Sequence, residues 1–112
     1  LLLNTPNIDV NQKDRNGWSA LHWAVIEDNN ETVKLLLNVP NIDVNSVDVD
    51  GKSAVHHAVC ENNIEALKLL LNVPNIDVNI VDNDGYSAVW NNNIEGLKLL
   101  LSHPSLTALT HR

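Results

Sequence analysis

Leucines recur in triplets along this chain, and each triplet is followed by a proline and then a polar tail. Leu35-Leu36-Leu37-Asn38-Val39-Pro40-Asn41-Ile42-Asp43-Val44-Asn45 returns letter for letter as Leu69 to Asn79. A near copy fills Leu1 to Asn11, with Thr5 in the Val place, and a weaker one runs from Leu99 to Leu106. Ahead of each triplet the apolar positions keep helical spacing. Val33, Leu36 and Leu37 stand at i, i+3 and i+4, and Ile64, Leu67 and Leu71 at i, i+3 and i+7, the stripe of a half-buried helix. This spacing predicts helices from about Asn30 to Asn38 and from about Asn63 to Asn72. Glu31 and Glu65 stand early and Lys34 and Lys68 later, the order a helix dipole favours, and Pro40 and Pro74 end the pattern.

A second, shorter pattern precedes each of these. Ser19-Ala20-Leu21-His22, Ser53-Ala54-Val55-His56 and Ser87-Ala88-Val89-Trp90 each put a serine before an apolar run, which predicts an N-cap and a first helix starting there. Asp28-Asn29-Asn30 and Asn62-Asn63 follow closely, so these helices are short. Before each serine lies Asp-x-x-Gly, as Asp14 to Gly17, Asp48 to Gly51 and Asp82 to Gly85, and these are turn-forming residues. The glycines recur every 34 positions. Units 14–47 and 48–81 share about two-thirds of their letters, and identical letters in phase mean a repeat architecture.

The third unit breaks the period. Leu99 trails Leu69 by 30 residues instead of 34, and the shortfall falls between Trp90 and Asn91, where His57-Ala58-Val59-Cys60 has no counterpart. Four residues are about one turn, roughly 6 Å of helix axis. Either the first helix of this unit is a stub and the unit is the weakest, or the written chain omits four residues. A Trp90 to Asn91 Cα separation far above about 3.8 Å would mean omission.

Charge and composition narrow the function. Seven basic against fourteen acidic residues give a net charge of −7, the wrong sign for gripping phosphate backbones. No apolar run approaches the roughly 20 residues needed to cross a bilayer. The expected partner is therefore neither nucleic acid nor membrane. Cys60 is the single cysteine, read as a small apolar filler in a chain from a reducing cytoplasmic or nuclear setting. With no Met and an opening inside a leucine run, the chain is expected to be a monomeric piece of a longer array.

Catalytic and metal chemistry find no set of residues here, and no cofactor is expected. His22 and His56 hold the same place in successive units, about 10 Å apart in stacked helices, too far for shared zinc ligation. His56 and His57 are consecutive and point about 100° apart. Ser46 to Gly51 resembles a calcium loop only superficially, because His57 stands where a bidentate glutamate is needed. Asn30-Glu31-Thr32 fits a glycosylation sequon, but a helix start explains the same letters.

Together, Asp-x-x-Gly-x-Ser-Ala-Leu-His-x-Ala, Lys-Leu-Leu-Leu and the closing Asp-Val-Asn resemble the ankyrin repeat, whose usual unit is 33 residues. The likeness covers residues 1 to about 107. It implies an all-α repeat solenoid of helix-turn-helix units joined by β-hairpin-like turns. Its parts would be half a preceding repeat at 1–13, full repeats at 14–47 and 48–81, and a shortened or incompletely written one at 82–112. Ser-Ala replaces the family's Thr-Pro, and Val-Pro-Asn-Ile replaces Gly-Ala with one extra residue, which accounts for 34 in place of 33. The likeness also implies that His22 and His56 hydrogen-bond backbone within and between units. Asn11, Asn45 and Asn79 occupy the asparagine that is β-hydroxylated in some members.

The resemblance implies a non-catalytic protein-recognition module, with turn tips and the outward side of the first helices lining a concave groove. The first unit would contribute Arg15, Asn16, Trp18, Trp23, Ile26 and Glu27 to that groove. The second would contribute Val49, Asp50, Lys52, His57 and Glu61, and the third Asn83, Asp84, Tyr86 and Trp90. These are the places where the units disagree, and the aromatic ones are typical binding anchors. Two other readings fit the same letters: a structural spacer in a longer scaffold, and a regulatory segment of a larger enzyme or channel.

Overall fold

The computed structural model describes residues 9–90 and 93–106, which form an elongated stack measuring 41 × 25 × 23 Å. Its helices are α1 (Ala20–Ile26), α2 (Asn30–Leu37), α3 (Ala54–Cys60), α4 (Ile64–Leu71) and α5 (Ile94–Leu101), with a single 3₁₀ turn at Ala88–Trp90. No strand occurs among the described residues, so the fold is all-α. α1, α3 and the 3₁₀ turn pack in one row and α2, α4 and α5 in a second, each short helix also resting on the longer one that follows it. The opening leucine run, the Trp90–Asn91 junction and the end of the tail lie outside the described residues.

The local chemistry explains each element. Ser19 and Ser53 cap α1 and α3, and in both the serine amide donates to Nδ1 of the histidine three residues on, at 3.2 and 3.1 Å. That histidine does the work a glutamate does in a capping box. Asp28 and Asn62 then take φ of 60° and 54°, the left-handed step that separates the helices of a pair. Asn29, Asn63 and Asn93 cap α2, α4 and α5 with their side-chain oxygens. Asn38 and Asn72 cap the other ends of α2 and α4.

The core lies between the two rows. Leu21, Val25, Val33, Leu36, Val55, Val59, Leu67, Leu70 and Leu100 are all essentially fully buried, each worth about 1.5–3 kcal/mol relative to exposure. One sequence expectation shifts here: in α4 the buried stripe is Ala66, Leu67 and Leu70, and Leu71 is only half-buried. Leu70 matches Leu36 of α2 and Leu100 of α5, so the same member of each triplet faces the core. Leu35 and Leu101 are exposed.

Each unit is tied to the next by polar joints as well as by apolar packing. The side-chain amide of Asn11 donates to Asn41 O at 2.8 Å while its oxygen accepts from Asp43 N at 2.8 Å, and Asn45 repeats both bonds to Asn75 and Asp77. Asn79 donates to Ser105 O at 2.8 Å. The asparagine of the Asp-Val-Asn tail is thus a bracket between units.

The third unit keeps its turn and its second helix but has one 3₁₀ turn of three residues where α1 and α3 have seven. The buried Ala58 and Val59 of the complete unit fall in the four-residue shortfall. Gly96 in α5 lies against Val59, where an added Cβ would come within 3.2 Å of Cγ1. The absence of a side chain there brings the last helix close to α3.

Candidate functional site

The sequence-predicted residues lie on the three turns and on the helices that follow them. In each turn the aspartate closes the loop on itself. Asp14 Oδ1 accepts from the amides of Asn16 and Trp18, Asp48 Oδ1 from Asp50 and Lys52, and Asp82 Oδ1 from Asp84 and Tyr86, all at 2.9 Å. Successive tips are bonded through the main chain, Val49 N to Asn16 O at 3.1 Å and Asn83 N to Asp50 O at 2.9 Å. Gly51 has φ of +78°, and a Cβ on it would stand 2.6 Å from Asn83 Oδ1, so glycine is required both by backbone and by the neighbouring tip.

The second carboxylate oxygen distinguishes the turns. Asp14 Oδ2 accepts from the indole of Trp23 at 2.8 Å. Asp48 Oδ2 accepts from the His57 ring at 2.8 Å and from the Trp18 indole of the preceding unit at 2.9 Å. A file of rings results: Trp23 and Trp18 meet edge to face at 4.7 Å, Trp18 and His57 at 5.9 Å, and His57 and His22 at 5.5 Å. No hydrogen bond to Asp82 Oδ2 occurs among the described residues.

These contacts decide the charge states. Burial would raise the Asp48 carboxyl, but the Lys52 amide, the His57 ring, the Trp18 indole and the Asp50 amide outweigh it, and the group sits below its ordinary 3.8. The Trp18 amide is the main cause that holds Asp14 below the same value, with the Trp23 indole and Asn16 amide adding to it against desolvation. His22 and His56 are pushed below 6.5, chiefly by burial. Their geometry fits a neutral ring: Nδ1 accepts from the capping serine, and Nε2 donates across the joint to Lys52 O at 3.2 Å for His22 and to Tyr86 O at 3.1 Å for His56. The expected histidine bonds within and between units are present.

Position by position, Arg15, Asn16, Trp23, Glu27, Val49, Asp50, Glu61, Asn83, Asp84, Tyr86 and Trp90 are exposed, and Trp18, Ile26 and Lys52 are half-buried. His57 is the correction to the expected binding surface. It is buried, its Nε2 committed to Asp48 and its ring wedged between Trp18 and His22, so it shapes the surface from beneath. Cys60 is also corrected, because it is exposed where a buried apolar filler was expected.

The structure brings Tyr86 and Trp90 together edge to face at 6.2 Å, on the rim of a cleft of about 250 Å³ that Lys52, His56, Cys60, Asp82 and Asp84 also line. Asp82, His56 and Cys60 were not foreseen at this surface. Asp82 is constant between units and so carried no signal, whereas the change from Ile26 to Cys60 marked its position as variable. Among the described residues no group of three or more His, Cys, Asp or Glu side chains could hold a metal ion, and no helix is long and apolar enough to cross a membrane.

A search of curated proteins gave no match. The family model for ankyrin repeats in three copies matches residues 1–82 and, in a second placement, residues 42–110. Ankyrin repeats are in general protein-interaction modules and typically non-catalytic. With helix pairs stacked in register, histidine and asparagine joints between them and a family match along nearly its whole length, the chain belongs to the ankyrin repeat family.

Proposed function

We propose that this chain is a non-catalytic recognition module that binds a protein partner through its turn tips and the outward side of its first helices. The observation that carries the reading is the division of labour between positions. The residues that differ between units are mostly exposed and stand on turns bonded tip to tip, while the residues that recur are consumed in caps, joints and core. A surface that varies on a frame that does not is suited to specificity. Arg15, Asn16, Val49, Asp50, Asn83 and Asp84 supply the tips, Trp23, Glu27 and Glu61 the helix positions, and Tyr86 with Trp90 the aromatic end. Division into repeats at 14, 48 and 82 belongs to the same proposal, as does a reducing cytoplasmic or nuclear setting, supported by the lone cysteine.

The test uses exposed positions only, since Trp18 and His57 hold Asp48 and their loss would damage the frame. Arg15→Ala, Val49→Ala and Tyr86→Ala combined should leave the melting curve near that of the parent and abolish capture of the cellular partners that the parent retains. Unchanged capture by the folded triple variant contradicts the reading, and no capture by the parent itself favours a spacer.

A further inference from the structure

We infer that the cleft beside Tyr86 and Trp90 is a socket for an arginine side chain of a protein partner, an inference that rests on the recognition reading above and narrows its chemistry. In the first two units the helix position nine residues after the turn aspartate carries a ring N–H, Trp23 or His57, and that N–H fills the aspartate's Oδ2. In the third unit the described residues at the start of the first helix form a three-residue 3₁₀ turn, and Asp82 Oδ2 receives no hydrogen bond among the described residues. The cleft and the unfilled acceptor are in the same place: Asp82 lines the cleft of about 250 Å³. That volume suits one side chain, not a helix.

Two features of the wall select the occupant. A carboxylate whose Oδ1 is already held by the amides of Asp84 and Tyr86 offers its remaining acceptor sites to a donor. The Tyr86 and Trp90 rings, exposed at 38% and 47%, give aromatic faces within reach of a cation. A planar guanidinium satisfies both at once, bonding the carboxylate through its fork while stacking on a ring, which a compact ammonium does less well. The net charge of −7 steers a basic segment towards this surface. Lys52 lines the same cleft and forms no ion pair with Asp82, so it acts as a like charge that an incoming arginine must displace outward.

The test is a titration with the blocked tripeptide acetyl-Gly-Arg-Gly-amide, followed by NMR on the full chain. The expected result is saturable shifts of the Trp90 indole N–H and the amides of Asp82 to Tyr86, with a dissociation constant on the order of 1 mM. The lysine tripeptide should bind more weakly and the neutral citrulline tripeptide should produce no shift. Asp82→Asn keeps an oxygen for the turn amides and should weaken binding by about tenfold. Trp90→Ala, at an exposed position, gives a second route to the same loss if Asp82→Asn unfolds, and Lys52→Ala should tighten binding. Equal shifts with the citrulline peptide, or none at the cleft, overturn the inference. Shifts confined to Trp23 and Glu27 would overturn it too while leaving the wider recognition surface standing.

Discussion

The second and third turns are written with nearly the same letters, yet one aspartate is held from four directions and the other from two. Asp48 accepts from two backbone amides, an indole and an imidazole, whereas Asp82 accepts from two backbone amides only among the described residues. Seven helical residues follow the first and a three-residue 3₁₀ turn follows the second. In place of the histidine that crosses the earlier joints stands Trp90, whose ring has no acceptor nitrogen. Recurrent letters thus build the turn, and the first helix decides whether the turn's charge is spent inside the molecule or turned outward.

The largest expected effect breaks the frame both units share. Leu36→Asp places a charge at a fully buried position and removes leucine packing, a loss of several kcal/mol against a total of roughly 5–15 for a small domain. The variant should show no cooperative thermal transition by circular dichroism, and an unchanged melting curve would refute the assignment of the core. Next, Asp48→Ala strands two ring N–H groups and two amides and should cost about 2–4 kcal/mol, whereas Asp82→Ala should cost about 1 kcal/mol. Equal losses in urea titrations would erase the distinction between the turns.

Much of this fold was legible because its signals are local and repeated. The Asp-x-x-Gly turns, the serine and asparagine caps and the 34-residue register each follow from a few adjacent letters. Three adjacent leucines were not so easily placed: a stripe drawn through Leu71 fits helical spacing as well as one through Leu70, and only packing against the neighbouring helix chooses Leu70. The bond from Trp18 to Asp48 was out of reach for a different reason. It joins residues 30 apart through the stacking of units, so no local pattern carries it. The shortfall after Trp90 was visible as arithmetic, but the open carboxylate it leaves required Asp48 and Asp82 to be compared in space.

A smaller effect separates the joints from the turns. His22 and His56 have folded values below 6.5, so the unfolded chain binds more protons than the folded one as pH falls through that value. Their contribution is complete above pH 6.5 and declines on acidification from there towards the lowered folded values. Asp48, lowered from 3.8, withdraws its contribution only at pH below that. The urea midpoint should therefore fall between pH 7.5 and pH 5 before carboxylates titrate. His56→Gln should flatten this first step, and a midpoint that rises on acidification would contradict the neutral, buried reading of the joints.

The most direct test of the contrast between the units is native-state amide hydrogen exchange, read helix by helix. If the lost turn leaves the third unit only loosely coupled to the stack, the amides of Leu97 to Leu101 in α5 should exchange through a lower-energy opening than those of α3 and α4. Inserting His-Ala-Val-Cys after Trp90, the letters of residues 57–60, should raise α5 to their level. Equal protection of α3, α4 and α5 in the parent chain would contradict the account.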